Sequence, residues 1–367
     1  MNTNAHASDP FAGRLQSDPV RAMIVEDSIV VRGLLARWLE AGGDIRVVAS
    51  VGNGAQALDK AKECRAEVVI LDIDMPVMDG IEALPKLLAL EPNLKIVMSS
   101  TLTLRNAQIS LKALSLGASD YVAKPDTVRG VTSSQDYRRE IVEKVRGLAM
   151  AEKKKTEIVG EVKSLIRLQK ISAPAPKLIV IGSSTGGPQA LAQVLRPLSA
   201  HLNVPVLVTQ HMPPMFTSIL AEHLARVTGR PVHEAVDGET PQCGTIYVAP
   251  GGKHLLVQRV NSGIQLQLND GAPENFCKPS VDILFRAVAQ IYGSSALALV
   301  LTGMGHDGRE GARALVAAGG NVIAQDQATS VVWGMPGAIA EAGLASAVLP
   351  LGEIAPKLIA LLKGARP

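Results

Sequence analysis

The chain has 367 residues, which is long enough for two domains of ordinary size, each with its own hydrophobic core. Hydrophobic residues make up 47% of the sequence and aromatic residues only 3%, so the cores must consist mainly of Ala, Val, Leu and Ile, as is usual for parallel sheets covered by helices. The 37 basic and 34 acidic residues nearly balance, which argues against the basic surface that a nucleic acid requires, and we expect no nucleic-acid partner.

Residues 1 to 19 are polar and lack the apolar core of a signal peptide, so we predict a disordered tail. No apolar run approaches the roughly 20 residues that span a bilayer. The three cysteines, Cys64, Cys243 and Cys277, lack the spacing of a metal or redox motif and are predicted to be reduced thiols. We therefore expect a cytoplasmic protein that is not inserted in a membrane.

Between residues 20 and 147, short apolar runs alternate with helical patterns, beginning with a strand at residues 21–25 and an amphipathic helix at 28–41. Further strands are predicted at residues 46–50, 68–71, 95–99 and 120–122. This repeated βα unit predicts a five-stranded, doubly wound α/β sheet of the flavodoxin-like type. Residues 148 to 176 are rich in charge, end in the segment SAPAP, and are predicted to be a linker.

A second alternating pattern occupies residues 177 to 367, which we predict to form an α/β, Rossmann-like domain. It opens with a strand at residues 177–181, a glycine-rich turn and a helix at 188–195. Further strands are predicted at residues 205–210, 244–249, 255–258, 264–268 and 296–301. The Asn-Ser-Gly segment at residues 261–263 predicts a hairpin that the first domain lacks.

Acidic residues follow two of the predicted strands of the first domain. Glu26 and Asp27 follow the first strand, and Asp72 ends the apolar run at residues 68–71. Because ligands of parallel α/β sheets bind at the carboxyl ends of the strands, these carboxylates should meet there. Like charges repel each other unless a cation lies between them, and oxygen ligands favour magnesium. Lys124, after the last strand, would add a positive charge.

Together with the segments LDIDMPVMDG at residues 71–80 and KP at 124–125, these residues resemble the receiver domain of two-component response regulators. The resemblance implies that Asp72 accepts a phosphoryl group from a chemotaxis histidine kinase and that this transfer requires Mg²⁺. It also implies magnesium ligands and switch residues, namely Glu26, Asp27, Asp72 and the backbone carbonyl of Asp74 for the metal, and Ser100, Tyr121 and Lys124 for the switch.

In the second domain, the glycine-rich turn GSSTGG at residues 182–187 carries a candidate nucleophile. Read as G-x-S-x-G, it places Ser184 between a strand and a helix, where glycines permit strained backbone and neighbouring amides can face an oxyanion. The hydroxyls of Ser183 and Thr185 are alternatives. The same turn could cradle a phosphate or nucleotide, although it lacks the P-loop lysine and the dinucleotide-binding spacing.

Two further motifs at strand ends complete a hydrolase constellation. His211 follows the strand at residues 205–210, and Asp307 lies in the loop TGMGHDG after the strand at 296–301. A serine, a base of near-neutral pKa and a carboxylate that orients the base are the parts of a catalytic triad. The chain order Ser, His, Asp differs from that of α/β-hydrolases, so that fold is not implied. His306 lacks the companions of a zinc motif, and we expect the catalytic site to need no cofactor.

The segments GSSTGG, QHMPP, PSVD and LTGMGHDG resemble the chemotaxis protein-glutamate methylesterases of the CheB family, over about residues 177 to 362. With the receiver-like domain in front, the whole domain order matches. The resemblance implies that Ser184 is the nucleophile, His211 the general base and Asp307 the acid that orients the base.

The same resemblance implies that the backbone amide of Met304 stabilises the oxyanion, with Thr185 as an additional candidate. The loop at residues 275–279 departs from the family pattern, because Cys277 stands where some relatives carry a histidine. The implied reactions are hydrolysis of glutamate methyl esters and deamidation of glutamines on methyl-accepting chemoreceptors, by an enzyme recruited to chemoreceptor arrays. The unphosphorylated receiver is expected to cover the triad, and phosphorylation to uncover it.

Two other functions remain open at the level of the sequence. The second domain could be a non-catalytic binding module of a response regulator, although the presence of three triad residues argues against this. Alternatively, the hydrolase could act on a small ester or amide rather than on a receptor.

Overall fold

The computed structural model describes residues 18–101, 103–125, 134–157, 168–169, 175–261 and 263–364. Most of the predicted N-terminal tail and most of the predicted linker lie outside these residues. Within the described ranges, no helix is both long and apolar enough to cross a membrane.

In the described part of the first domain there are five parallel strands and five helices. The strands are β1 (Val20–Val25), β2 (Ile45–Val51), β3 (Val68–Asp72), β4 (Lys95–Thr101) and β5 (Asp120–Lys124). The helices are α1 (Ile29–Glu40), α2 (Gly54–Cys64), α3 (Gly80–Leu90), α4 (Leu104–Ser115) and α5 (Gln135–Glu157). The strand order β2-β1-β3-β4-β5 confirms the predicted doubly wound sheet. The central strand β3 is buried along its whole length, as expected when helices cover both faces.

Side chains at the starts of the first four helices explain where these helices begin. The side-chain oxygens of Ser28, Asn53, Asp79 and Thr103 each accept a hydrogen bond from a backbone N–H in the first turn of α1 to α4. Such N-caps satisfy donors that have no partner inside the helix and typically contribute about 1 kcal/mol each. Because α1 is capped at residue 28, the loop between β1 and α1 is short, and its acidic residues stay at the sheet edge.

Helix α5 continues beyond residue 147, where the first domain is predicted to end. Its residues Tyr137, Ile141, Val145 and Leu148 recur at helical spacing, are buried, and pack in one apolar cluster with α1 and the sheet. The following sequence, AEKKKTE, is composed largely of good helix formers. The change in composition therefore does not mark the end of the helix.

A parallel sheet of seven strands forms the centre of the second domain. Its strands are β6 (Leu178–Ser183), β7 (Val206–Gln210), β8 (Val232–Glu234), β9 (Ile246–Val248), β12 (Ala296–Val300), β13 (Asn321–Gln325) and β14 (Ala347–Leu349). Their order is β14-β13-β12-β6-β7-β9-β8. The three strands that lead into the hydrolase motifs, β12, β6 and β7, are therefore neighbours at the centre of the sheet.

The other described elements of this domain include a hairpin and six α-helices. The hairpin consists of β10 (His254–Val260) and β11 (Gly263–Asn269) and confirms the one predicted at residues 261–263. The helices are α6 (Gly187–Leu198), α7 (Phe216–Thr228), α8 (Val281–Tyr292), α9 (Arg309–Ala317), α10 (Met335–Glu341) and α11 (Leu351–Leu362). Strands β8, β13 and β14 are absent from the prediction. Two of them have only three residues, too few to show a periodic pattern.

The two domains pack together through α4, β5 and α5 of the first domain. The ring of Tyr121 on β5 stacks on that of Phe216 on α7, with a centroid distance of 4.6 Å and an interplanar angle of 4°. The side-chain amide of Gln189 on α6 donates hydrogen bonds to the carbonyl oxygens of Leu114 and Ala118. This interface brings the first domain next to the ends of β6, β7 and β12.

Candidate active site and phosphorylation site

Three carboxylates meet at the carboxyl end of the first-domain sheet. Oxygen atoms of Glu26, Asp27 and Asp72 all lie within 4.8 Å of one another. Lys124 Nζ lies 2.7 Å from Asp72 Oδ2 and 3.3 Å from Glu26 Oε2. Glu26 and Asp72 are buried, whereas Asp27 is exposed. The cluster therefore contains three acidic groups and one cation, at an edge that solvent reaches through Asp27.

The negative charge of this cluster is only partly compensated. Burial raises the pKa of Asp72 to about 7, the charge of Glu26 adds to this effect, and Lys124 opposes both. Burial likewise raises the pKa of Glu26. A site with several carboxylate oxygens and excess negative charge suits a hard divalent cation. The residues present therefore fit the magnesium ion that the sequence predicts.

The other residues predicted for this site lie around the cluster. The Asp74 side chain accepts a hydrogen bond from the amide of Asn106 at 3.4 Å. Ser100 Oγ lies 3.1 Å from Ser110 Oγ, so this hydroxyl bonds within its own domain. Tyr121 instead contacts the second domain through its stacked ring. Of the predicted switch residues, Ser100 therefore lies on β4 and Tyr121 and Lys124 on β5, the strand paired with β4.

Ser184 directly follows β6, on the turn that leads into α6. Gly186 has a φ of +75°, in the left-handed region that favours glycine, and this residue forms the N-cap of α6. Gly303, in the loop after β12, lies against the nucleophile, because a Cβ placed there would be only 2.9 Å from the Cβ of Ser184. The close approach of this loop to Ser184 therefore requires glycine at residue 303.

Gln210, the last residue of β7, holds the turn in place. Its Nε2 donates to the carbonyl oxygen of Ser184 at 2.9 Å, and its Oε1 accepts from Ser183 Oγ at 2.7 Å. The Ser183 hydroxyl is thus buried and engaged, which favours Ser184 as the nucleophile. Gln210 lies in the QHMPP motif, but no role is predicted for it from the sequence. A polar residue at the end of an otherwise apolar strand is the signal that could have indicated a role.

His211 and Asp307 are joined by a hydrogen bond, with Nε2 lying 2.8 Å from Oδ2. Asp307 also accepts hydrogen bonds from the backbone N–H groups of Val281 and Asp282, at the start of α8, and from the Ser280 hydroxyl. Although burial acts in the opposite direction, His211 and these donors hold the pKa of Asp307 well below its usual range. Asp307 is therefore a fixed negative charge that orients the ring.

The other ring nitrogen of His211 faces a cysteine. Nδ1 lies 3.5 Å from Cys277 Sγ, whereas no hydrogen bond joins Ser184 to His211 in the described part of the chain. Burial lowers the pKa of His211, but the charge and hydrogen bond of Cys277, together with Asp307, outweigh burial and raise this pKa to about 10. With Cys277 rather than Ser184 beside Nδ1, the protonated ring is favoured in this arrangement. This differs from the near-neutral base that the sequence predicts.

Met304 and Thr185, the candidates for oxyanion stabilisation, lie on the two loops beside Ser184 and line the same cavity. The Met304 side chain packs closely on α5, since a Cβ at Gly147 would lie 2.3 Å from Met304 Cε. The Thr185 hydroxyl donates to Asp120 Oδ2 of β5 at 2.6 Å. Both candidates are therefore in contact with the first domain.

A charge network, in which Lys144 and Asp120 are largely buried, continues this interface. Lys144 of α5 forms ion pairs with Asp120 at 3.2 Å and with Glu140 at 2.8 Å. Nearby, the guanidinium of Arg139 lies 4.3 Å above the ring of Phe276. Sequence reasoning missed these residues, because no local pattern marks a contact between separate domains. Side chains of both domains line the cavity at Ser184, which has a volume of about 580 Å³.

Comparisons with known proteins agree with this architecture. The family model described as CheB methylesterase matches residues 179–358, and that of the response regulator receiver domain matches residues 22–133. The chain is 47% identical to a protein-glutamate methylesterase/protein-glutamine glutaminase of Rhodopseudomonas palustris (strain BisB5), with 99% of each chain covered. It is 48% identical to the protein of the same name from Nitrobacter hamburgensis, covering 95% of this chain and 96% of that protein. The solved catalytic domain of the Thermotoga maritima CheB methylesterase is 42% identical, with a TM-score of 0.50, covering 51% of this chain and 100% of that domain.

Proposed function

This chain belongs to the CheB methylesterase family, and we propose that it is a phosphorylation-activated enzyme that hydrolyses glutamate methyl esters and deamidates glutamines on bacterial chemoreceptors. One observation carries the proposal. Ser184 and the hydrogen-bonded pair of His211 and Asp307 lie beyond the ends of three neighbouring parallel strands, beside a cavity that the receiver domain partly encloses.

The reaction begins when the Ser184 hydroxyl gives its proton to His211. Because Nε2 binds Asp307, the receiving nitrogen in this ring orientation is Nδ1. The serine oxygen attacks the γ-carbonyl carbon of a glutamyl methyl ester, His211 returns the proton to the methoxy group, and methanol leaves an acyl-enzyme. Water, deprotonated by His211, then releases glutamate and restores the serine. With a glutamine substrate, ammonia leaves in place of methanol.

Backbone donors beside Ser184 would stabilise the oxyanion of each tetrahedral intermediate. The N–H groups of Met304 and Thr185 have no hydrogen-bond partner among the described residues, so both are available to a substrate oxygen. Oxyanion donors act because they are in place before charge develops, and removing one typically costs about 10²–10³ in turnover. The close packing of Gly303 on Ser184 would keep one of these donors next to the nucleophile.

The observed domain arrangement corresponds to a resting state. A receptor helix is about 10–12 Å across with its side chains, and it can reach Ser184 only if α5 and β5 of the receiver move away. The ring of His211 must also exchange Cys277 for Ser184 as the partner of Nδ1, with this nitrogen unprotonated. Access to the nucleophile and the state of the base are therefore both changed by activation.

Phosphorylation of Asp72 provides the activating signal in this proposal. Four groups would hold Mg²⁺, namely the carboxylates of Glu26, Asp27 and Asp72 and the backbone carbonyl of Asp74. When bound, the ion neutralises charge on the transferring phosphoryl group. Lys124, which contacts Asp72, supplies a second positive charge. A histidine kinase of the receptor complex would be the phosphodonor, which places the enzyme in the cytoplasm at chemoreceptor arrays.

The signal would reach the catalytic domain through β5. Tyr121 stacks on Phe216, and its neighbour Asp120 accepts the hydrogen bond of Thr185. A shift of β5 would disturb both contacts and move the population toward an uncovered site. Ser100, on the adjacent strand, is the candidate for the hydroxyl that responds to the phosphoryl group.

The first test is methanol release from receptor membranes that carry labelled methyl esters. Ser184→Ala is expected to lower release by at least about 10³-fold, because the attacking oxygen is lost. Ser294→Ala, which alters an exposed serine of the same domain, is the matched control and should retain turnover. Release by Ser184→Ala at the wild-type rate would exclude Ser184. A generic ester that outcompetes the receptor would instead favour a small-molecule esterase.

The second test addresses activation. Asp72→Ala is expected to leave basal methanol release unchanged and to abolish its stimulation by a small-molecule phosphodonor. Asp59→Ala, at an exposed position of α2, is the control and should be stimulated like the wild type. Undiminished stimulation of Asp72→Ala would exclude Asp72 as the phosphorylation site.

A further inference from the structure

Cys277 is held beside the histidine of the triad by a loop with an unusual backbone. Asn275 and Phe276 have φ values of 53° and 63°, in the left-handed region. Backbone hydrogen bonds join Glu274 and Cys277 in both directions, and the Glu274 carboxylate pairs with both terminal nitrogens of Arg286 on α8. Bulky residues such as phenylalanine rarely adopt positive φ. The fold therefore tolerates strain in the loop that positions this thiol.

The separation of the two facing atoms matches that of two ligands on one zinc ion. Cys277 Sγ lies 3.5 Å from His211 Nδ1. Zinc binds a thiolate at about 2.3 Å and an imidazole nitrogen at about 2.0–2.1 Å with tetrahedral angles, which places the two ligand atoms about 3.5 Å apart. The distance between the two atoms therefore need not change for one ion to bind both.

The opposite side of the ring is also arranged as in zinc sites. His211 Nε2 is hydrogen-bonded to Asp307, and histidines that bind metals usually donate their other N–H to a carboxylate, which fixes the ring and strengthens the ligand. Ligand atoms of Asp307, His211 and Cys277 lie within 4.8 Å of one another. Both His211 and Cys277 line the cavity, which gives an ion and its water ligands a path to the site.

We propose that Cys277 and His211 form an inhibitory binding site for Zn²⁺, with water from the cavity in the remaining coordination positions. Binding displaces the proton from His211 Nδ1 and from Cys277 Sγ to solvent, and the metal then occupies the lone pair of Nδ1, so His211 can no longer accept the proton of Ser184. Binding depends only on the two side chains, whereas inhibition rests on the proposed role of His211 as the base. The receiver cluster offers only oxygen ligands and is therefore selective for a different class of ion.

Binding is tested with Co²⁺ added to the full-length protein in excess Mg²⁺. A thiolate bound to Co²⁺ gives a charge-transfer absorption band that carboxylates do not give, so the receiver cluster does not contribute. We expect the band in the wild type and in Cys243→Ser, which alters an exposed cysteine, and its loss in Cys277→Ser and His211→Gln. A band that persists in Cys277→Ser would overturn the site. This measurement needs no turnover, so it remains valid even if the chain released no methanol.

Inhibition is tested by methanol release with Zn²⁺ and with subsequent chelation. Wild type and Cys243→Ser are expected to lose activity reversibly, whereas Cys277→Ser should need at least about tenfold more Zn²⁺, the typical effect of removing a group on which a metal site depends. Serine retains the shape of the side chain and can still donate to the carbonyl of Asn275, as the thiol does. Equal sensitivity of Cys277→Ser and the wild type would refute the inhibitory role.

Discussion

The receiver pocket and the hydrolase site each place a buried aspartate near the carboxyl ends of parallel strands, but in opposite electrostatic surroundings. Burial and the neighbouring Glu26 raise the pKa of Asp72 to about 7. Asp307, despite its burial, has its pKa held well below the usual range by His211 and backbone donors. A buried carboxylate that accepts few hydrogen bonds therefore favours binding of a cation and a phosphoryl group. A saturated one, which accepts several hydrogen bonds, keeps a permanent negative charge.

Among the substitutions that test this comparison, Asp307→Asn is expected to have the largest effect on turnover and on the melting temperature. The new NH₂ group would face two donors, the Val281 N–H and His211, so the ring loses its orientation and buried donors lose their acceptor. Turnover should fall by about 10⁴-fold, as for the same change in other triads, and the melting temperature should fall as well. Methanol release and thermal unfolding measure the two effects.

Asp72→Asn provides the contrast for the stability measurement. It removes one of three clustered negative charges, so its melting temperature should equal or exceed that of the wild type. Equal destabilisation by the two substitutions would contradict the distinction between a saturated and an unsaturated aspartate.

An intermediate effect, on the basal rate of methanol release, is expected from Asp120→Asn. Asp120 lies between the receiver pocket and the hydrolase site. The substitution removes the charge that holds Lys144 and weakens the hydrogen bond from Thr185. Loss of a charged hydrogen bond of about 1.5–3 kcal/mol would shift the population toward the uncovered site, so basal methanol release should rise by about tenfold. Asp59→Asn is the surface control. A basal rate at or below the wild-type value in a folded Asp120→Asn protein would show that this contact does not restrain the enzyme.

The smallest expected effect is on the pH dependence of stability and involves Asp282. This residue lies beside Asp307, but its pKa, like that of Asp72, is raised. Burial raises the pKa of Asp282 to about 6, above the unfolded value of about 3.9. The neutral carboxyl therefore stabilises the fold below about pH 4, and this contribution is lost as the pH rises through about 6. The free energy of unfolding of the wild type relative to Asp282→Asn should fall by on the order of 1 kcal/mol between about pH 4 and 7. Urea unfolding at several pH values measures it, and a constant difference would be the contrary result.

Residues at the ends of central strands could be predicted from the sequence. Asp72, Ser184 and His211 each stand at or directly after an apolar run, and parallel topology brings such ends to one edge. The local pattern therefore carries enough information for the fold class of both domains and for the meeting of motif residues at sheet edges.

Contacts that depend on docking or on loop conformation could not be predicted. Asp120 reaches Thr185 only because the domains pack together, and no sequence spacing records that distance. The contact of Cys277 with His211 depends on positive φ values at two residues, one of them Phe276, for which the sequence gives no signal. The raised pKa of His211 depends in part on that contact and is equally hidden.

The hydrogen bond between Thr185 and Asp120 bears on how this protein could evolve by recombination. Thr185, next to the nucleophile, donates a hydrogen bond across the domain interface to Asp120. A receiver taken from an unrelated response regulator would keep its phosphorylation chemistry but would lack an acceptor that matches Thr185. We expect such a chimera to have a raised basal rate, as for Asp120→Asn. The two domains are separable in sequence but not interchangeable, and a functional exchange has to transfer Asp120 and Lys144 together with the receiver.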